Sequence, residues 1–435
     1  MTRTRATYLV YAVLGFYGWF IYGFGPVVPL LRDEQGTSRA VASLHGTALA
    51  VGALAAGALY PFLTRRIGRA RTLWTALGGL AFGIVVLAVV PSVPVVTIAA
   101  TLGIGTVGAI LVNSIAPTLL SIHGPAFSGA ALTEGNAIAC GVGLVAPLAI
   151  GFSLDQGFGW RPALLVASVL AAVIAVLARA TATGLPTATD QPPDPGPPPP
   201  AAGSPAAGSP AAGSPAAGTP AAGTPAAGTP AAGTPAAGTP AVETPAVGKA
   251  RLPRRFWVTW VIMLCCIAAE FATTLWASDV LRHRTGSTAA LATAAVTAVV
   301  GGMCGGRIVG AVSAARAPGA VLLLPALGIA LIGGAVFWVT TSPVVAIVGL
   351  AILGFGLGPT YPLAMDLAMQ ASDGQPDRAA GYASYAAGLA VGSGPFALGA
   401  LADLVGPHGA FLVVPALFLV AIAGVVVISP RARPR

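Results

Sequence analysis

The chain is built from uncharged apolar stretches of about 20 residues, the length of helix that crosses a hydrocarbon core of about 30 Å. Residues 6–31 and 40–64 contain no Asp, Glu, Lys or Arg, and neither do 72–122, 135–154 and 162–178. The run 72–122 is too long for one span. The turn Pro91, Ser92, Val93, Pro94 divides it, because proline lacks an amide hydrogen and clashes with the preceding helical turn. Six spans thus precede the middle of the chain. Windows 256–281, 287–312, 317–339, 344–369, 379–402 and 410–428 repeat the rhythm, with Thr340, Thr341, Ser342 and Pro343 standing where the earlier proline turn stood. The reading is an all-α polytopic membrane protein with twelve transmembrane helices in two pseudo-symmetric six-helix bundles, residues 1–184 and 254–435. Composition agrees: charged residues are 8% and hydrophobic residues 56%, whereas a water-facing protein carries roughly 25% charge.

A net charge of +9 invites a nucleic-acid partner, but its placement says otherwise. With the N-terminus inside, sixteen of the 22 Lys and Arg residues fall on the inner side, and only Arg32, Arg39, Arg161, Arg282 and Arg284 fall outside. That bias follows the positive-inside rule. It predicts a multi-pass protein of the plasma membrane with both termini cytoplasmic, surrounded by lipid bilayer and binding no nucleic acid. The N-terminus lacks a short apolar core with a small-residue cleavage site, so the first span is expected to stay on the protein. Cys140, Cys265, Cys266 and Cys304 show no paired spacing, so neither a disulfide framework nor a metal site is expected.

Residues 185–253 are of another kind. Residues 192–200 are nearly all proline, and 201–240 are eight perfect pentads, three Ala-Ala-Gly-Ser-Pro and five Ala-Ala-Gly-Thr-Pro. Such a segment has little to bury against its ordering entropy, so a disordered cytoplasmic linker is expected.

The two halves echo each other. Pro147, Gly151 and Asp155 recur as Pro395, Gly399 and Asp403 at a constant offset, and Gly103 and Gly105 find counterparts in Gly354 and Gly356. Parallel repeats about an axis along the membrane normal suit a transporter that rocks. The loop after the second span reads Pro61, Phe62, Leu63, Thr64, Arg65, Arg66, Ile67, Gly68, Arg69, Ala70, Arg71. With six-plus-six spans, a long inner linker and this basic loop, the chain resembles the major facilitator superfamily, and the stretches Gly25, Pro26, Val27, Val28, Pro29 and Gly159, Trp160, Arg161, Pro162 look like its bacterial drug-exporter and sugar-permease branches. Arg66, Gly68 and Arg69 match the family's loop signature, while Arg65 replaces its aspartate and Pro61 its glycine. The antiporter motif of the fifth helix is similarly partial, with Pro147 and Gly151 fitting and Val142, Ala146 and Ile150 at glycine positions. The resemblance implies alternating access, no cofactor, a monomer, and an inner-side latch. Here Asp373 and Asp377 are the acids placed to meet Arg65, Arg66 or Arg69.

Glu270 is the sharpest chemical signal. It lies near the middle of its span, where an ionised acid costs on the order of 3 kcal/mol. Thr273, Thr274, Ala277 and Ser278 follow at helical spacing and form a small-polar stripe. Proton coupling, substrate binding and a paired structural acid all fit. His45, a residue that titrates near neutrality, is the second coupling candidate and also suits packing. Tyr22, Thr106, Asn113 and Tyr361, with Thr273 and Thr274, are the polar side chains expected in a substrate cavity. Arg307 is expected to snorkel toward the inner surface, Trp276 to anchor at the outer interface, and the symmetric pair Asp155 and Asp403 to cap outer helix ends. No nucleophile motif, metal-ligand set or phosphate loop is present, since Lys249 follows Gly248 but precedes Ala250. An enzyme is excluded on this reading, and transport must draw on a gradient. The expected activity is proton-coupled secondary transport of a small organic solute, outward by the scarcity of polar residues, with an uptake permease for a sugar or organic acid, a sensor or a channel as alternatives.

Overall fold

A computed structural model describes residues 2–428 except 91, 182, 184–251, 315, 318 and 374. The repeat segment and the acidic residue Glu243 therefore lie outside the described residues, as do Lys249 and the C-terminal arginines. The described residues form helices α1 (Arg5–Gln35), α2 (Arg39–Ile67), α3 (Arg69–Val89), α4 (Pro94–Gly124), α5 (Ala131–Asp155) and α6 (Arg161–Ala180). The second set is α7 (Arg254–Thr285), α8 (Ala289–Ala314), α9 (Gly319–Val339), α10 (Pro343–Gln370), α11 (Pro376–Ala410) and α12 (Val413–Ile428). Eleven of the helices are long and apolar enough to cross a membrane, and α12 is a shorter apolar helix of 16 residues.

The proline turns fall where expected, with Pro94 and Pro343 opening α4 and α10. Between α4 and α5 the chain stays nearly helical and reverses at Gly124, whose φ of 69° suits a residue without a side chain. Helix α5 begins earlier than the uncharged window 135–154 and takes in Glu134. The acid is tolerated there because Arg3 Nη2 and Nε reach it at 2.8 and 3.0 Å and the Tyr11 hydroxyl at 2.9 Å.

Internal symmetry extends to the backbone. Gly36 ends α1 and Gly286 ends α7, both in the left-handed conformation with φ of 60° and 66°. Within the first half, a side chain on Gly52 would collide with the Leu102 carbonyl and one on Gly105 with the Leu49 carbonyl, so α2 and α4 meet backbone to backbone. The second half repeats this with Gly302 against Ala351 and Gly354 against Val299. Lipid tails supply no hydrophobic drive between helices, so close approach at small residues is what holds such bundles together.

The halves meet through two such seams. Gly399 of α11 packs on Ser43 and Arg39 of α2, and Gly151 of α5 packs on Ala290 and Ala294 of α8. Both seams lie toward the face bearing the α1–α2 turn, called outer here after the charge bias.

Candidate functional site

Midway along α7, Glu270 is 4% exposed and packed against a cation. Arg307 of α8 donates through Nη2 to Glu270 Oε1 at 3.3 Å, through Nη1 to the Tyr22 hydroxyl at 3.2 Å and through Nε to the Gly358 carbonyl at 3.4 Å. Arg307 does not snorkel. It sits seven residues, roughly 10 Å, inside the end of α8, and an acid within reach competes better for the guanidinium than a distant headgroup. The carbonyl of Gly358 is on offer because α10 is interrupted there, between the segments Pro343–Leu357 and Thr360–Gln370. Tyr22 belongs to the first half and Glu270 and Arg307 to the second, so the cluster straddles the two bundles.

Other polar residues arrange themselves around this centre unevenly. Thr274 shares a cavity with Glu270, Tyr22, Gly25, Gly46 and Pro395. Its volume of about 30 Å³ has room for a water or two and not for a solute. Thr273 turns away and is fully buried, its hydroxyl without a hydrogen-bond partner among the described residues, as are Glu270 Oε2 and Asn113 Nδ2. Tyr361, on the second segment of α10, is half-buried against the core. Thr106 instead bonds back to the Leu102 carbonyl at 3.0 Å. His45 is held between Ala42 O and Thr97 Oγ1, both at 2.9 Å, tying α2 to α4. Trp276 is fully buried rather than interfacial, because its indole N–H donates to the Pro395 carbonyl of α11 at 3.1 Å.

A second cluster, unanticipated from sequence, closes the outer face. Asp279 accepts from Arg32 Nη2 at 2.9 Å and from Arg39 Nε at 2.8 Å, while Arg282 reaches Asp33 at 2.7 Å. Each of these pairs joins one half to the other. An acid within an otherwise apolar span, nine residues after Glu270, was the available signal. Beside it, Asp403 caps the outer end of α2 in the other half, accepting the N–H groups of Arg39 and Ala40. Within the first half, Glu34 gathers Trp160 Nε1 at 2.7 Å and both terminal nitrogens of Arg161 at 2.8 Å.

Among the described residues, no ion pair joins the two halves on the inner side. Arg65 donates to its own helix at Pro61 O, Arg66 lies 5.8 Å from the Phe62 ring, and Gly68 makes the α2–α3 turn with a φ of 83°. Among the described residues neither these nor Arg69 pairs with Asp373, and the side chain of Asp377 lies outside what is described. One covalent tie also crosses the halves: Cys140 of α5 and Cys304 of α8 form a disulfide with Cα atoms 6.5 Å apart. The expectation of four unpaired cysteines is thereby corrected for two of them. Residues 164 apart in sequence become neighbours because the α5–α8 seam brings them together, and no spacing rule registers that.

Comparison with known proteins supplies the context for this geometry. The family model described as Major Facilitator Superfamily matches residues 9–376. No curated protein sequence matches the chain. Among solved structures, the chain is similar to the nucleoside transporter NupG (TM-score 0.69, 10% identity, 98% of this chain and 99% of that one). It is also similar to a bacterial homologue of the human lysosomal transporter Spinster in an inward-facing, unoccupied conformation (TM-score 0.65, 12% identity, 98% and 97% covered). A third similar structure is the transporter FucP in an outward conformation (TM-score 0.56, 13% identity, 98% and 99% covered). The twelve-helix architecture and the match along most of its length agree: this chain belongs to the Major Facilitator Superfamily and is a multi-pass membrane transporter of a small-molecule substrate, not an enzyme.

Proposed function

We propose that the chain is a proton-coupled secondary transporter of a small organic solute, alternating access by rocking residues 1–184 against residues 254–435. Glu270 is the coupling carboxyl. The observation that carries this reading is the contact of Glu270 with Arg307 and, through it, with Tyr22 across the two halves. A buried acid whose one cationic partner among the described residues is also bound to the opposite half links its protonation to the relative position of the halves. When the pair parts, an uncompensated charge in a low-dielectric site is costly, and taking up or releasing a proton relieves it.

The remaining assignments follow the same logic. Tyr22, Thr273, Thr274, Asn113, Tyr361 and Thr106 supply polar contacts to the solute once the cavity widens, and His45 is the second group that could relay a proton. The Asp279 cluster is the outer gate, made in this structure. Arg65, Arg66 and Arg69 meet Asp373 and Asp377 as the inner gate in the opposite state. The protein works as a monomer in the plasma membrane with both termini cytoplasmic and its halves connected through residues 185–253. Net movement is outward, in keeping with the largely apolar lining around Glu270.

Solute flux in vesicles with an imposed pH gradient tests this reading, with wild type and Glu270→Gln compared over a panel of solutes. The expected result is gradient-driven flux in wild type, lost in the variant while solute exchange at equal pH persists. Equal gradient-driven flux in both would remove the coupling role from Glu270, and inward flux would reverse the direction assigned here.

A further inference from the structure

The Glu270–Arg307 contact is unusual beside the other ion pairs of this protein. The outer pairs of Asp279 and Asp33 are 2.6 to 2.9 Å long, about the ordinary range for charge-assisted bonds. Arg307 meets Glu270 through one nitrogen at 3.3 Å, and the second carboxylate oxygen, Oε2, is buried with no hydrogen-bond partner. The other guanidinium nitrogens donate at 3.2 and 3.4 Å to a hydroxyl and a carbonyl. Arg307 is thus an almost fully buried cation, its side chain 12% exposed, held by three long bonds. Its planar fork matches a carboxylate in two parallel bonds, and Glu270 does not use it that way.

We infer that the solute is a small organic monocarboxylate whose carboxylate replaces Glu270 on the Arg307 guanidinium, with Glu270 taking up one proton as it is displaced. This inference rests on the proton coupling proposed above and assigns what is coupled. The charge count leads to it. Arg307 and Glu270 together are neutral, and adding an anion leaves the site with one uncompensated negative charge unless Glu270 is protonated. The charged and titratable groups facing Glu270 are few: Arg307 on α8, Tyr22 on α1, Tyr361 on α10 and Cys266 one turn earlier on α7. Helices α2 and α11 face it with apolar residues, Gly46, Leu49, Val391 and Pro395. Arg307 is the one cation bonded to Glu270 among the described residues, and the lining of the small cavity on the other side of Glu270 holds no cation, which selects a monocarboxylate. Displacement is an exchange of partners with no bond made or broken beyond the O–H bond formed on Glu270 by a proton from water. One anion and one proton then move together without net charge, so outward movement takes place where the outward anion gradient exceeds the opposing proton gradient.

Binding to the purified full chain tests this. Thermal stabilisation is measured against a panel of aliphatic and aromatic monocarboxylates, each paired with its uncharged primary amide. Carboxylates are expected to stabilise and their amides not. Because one proton enters with each anion, apparent affinity is expected to rise about tenfold per pH unit of acidification between about pH 8 and about pH 6, where the solutes stay ionised. Glu270→Gln should keep carboxylate binding and lose its pH dependence. Arg307→Gln alone leaves Glu270 without its cation, so Glu270→Gln combined with Arg307→Gln, which removes both charges, is the variant in which the fold is kept and carboxylate binding is expected to vanish. Equal stabilisation by acid and amide, no stabilisation by any carboxylate, or an affinity independent of pH in wild type would overturn the inference. A neutral or cationic solute driven by the pH gradient in the vesicle experiment would overturn it too while leaving proton coupling intact, whereas no gradient-driven flux at all would remove both.

Discussion

Asp403 of α11 accepts the backbone N–H of Arg39 at 2.8 Å, and that of Ala40 at the same distance, so a carboxylate in one half caps the first turn of a helix in the other. The first turn of any helix offers unpaired N–H groups and a partial positive charge. Placing the acid across the interface turns a local capping device into a contact that exists only when the outer face is closed.

Asp403→Ala should therefore favour the outward-open state rather than unfold the protein. A cap is worth about 1 kcal/mol, which corresponds to a shift of roughly fivefold in the balance of states. In a background without the native cysteines, a cysteine at Ala290 reports on the other outer seam, and its labelling by a membrane-impermeant maleimide should speed up by that factor. An unchanged rate would show that the cap does not bear on closure.

Asp279→Asn should be more damaging. Asp279 is the shared partner of Arg32 and Arg39, and its side chain is 5% exposed. Removing one member of a buried ion pair costs about 3 to 5 kcal/mol, and the partial exposure of Arg39, at 24%, moves the expected loss toward the low end. Thermal unfolding should show a fall of several degrees, partly restored when Arg32→Gln is added. Restoration failing entirely would mean that Asp279 acts through something other than charge balance.

The Cys140–Cys304 bridge joins α5 to α8 fifteen residues, roughly 22 Å, from the outer end of each helix. Rocking moves these two helices relative to each other, so the bridge should slow exchange between the two states. Treatment with a dithiol such as dithiothreitol, which takes the bridge to two thiols and is itself oxidised, should raise flux several-fold. The variant Cys140→Ser with Cys304→Ser should match the reduced protein and ignore the reagent. Flux insensitive to reduction in wild type would contradict this.

Gly302 and Gly52 should prove equally intolerant of size, since each lies at the backbone-to-backbone crossing of its own half. Valine at either position has to push apart two helices that touch through a carbonyl, an overpacking cost of about 1 to 3 kcal/mol. The folded fraction after detergent extraction, followed by size-exclusion chromatography, should fall for both. A large loss at one position and none at the other would break the equivalence of the halves.

The spans, their division into six and six, and the prominence of Glu270 were all determined by the sequence alone. The reason is that a bilayer judges each segment locally: twenty apolar residues cross it, prolines end the crossing, and a carboxyl at mid-span is costly wherever its neighbours lie. Gly151 and Gly399 were legible as a repeated pair for the same reason. Tertiary structure decided the partnerships. Helices that are apolar on every side carry no amphipathic stripe to say which face turns inward, so nothing along the chain told Arg307 from a snorkelling arginine or Trp276 from an interfacial one. Nothing along it joined Cys140 to Cys304 or Asp279 to Arg32 and Arg39 either. Those contacts depend on how α1, α2, α5, α7, α8 and α11 rotate and cross, and only close packing at their small residues sets that.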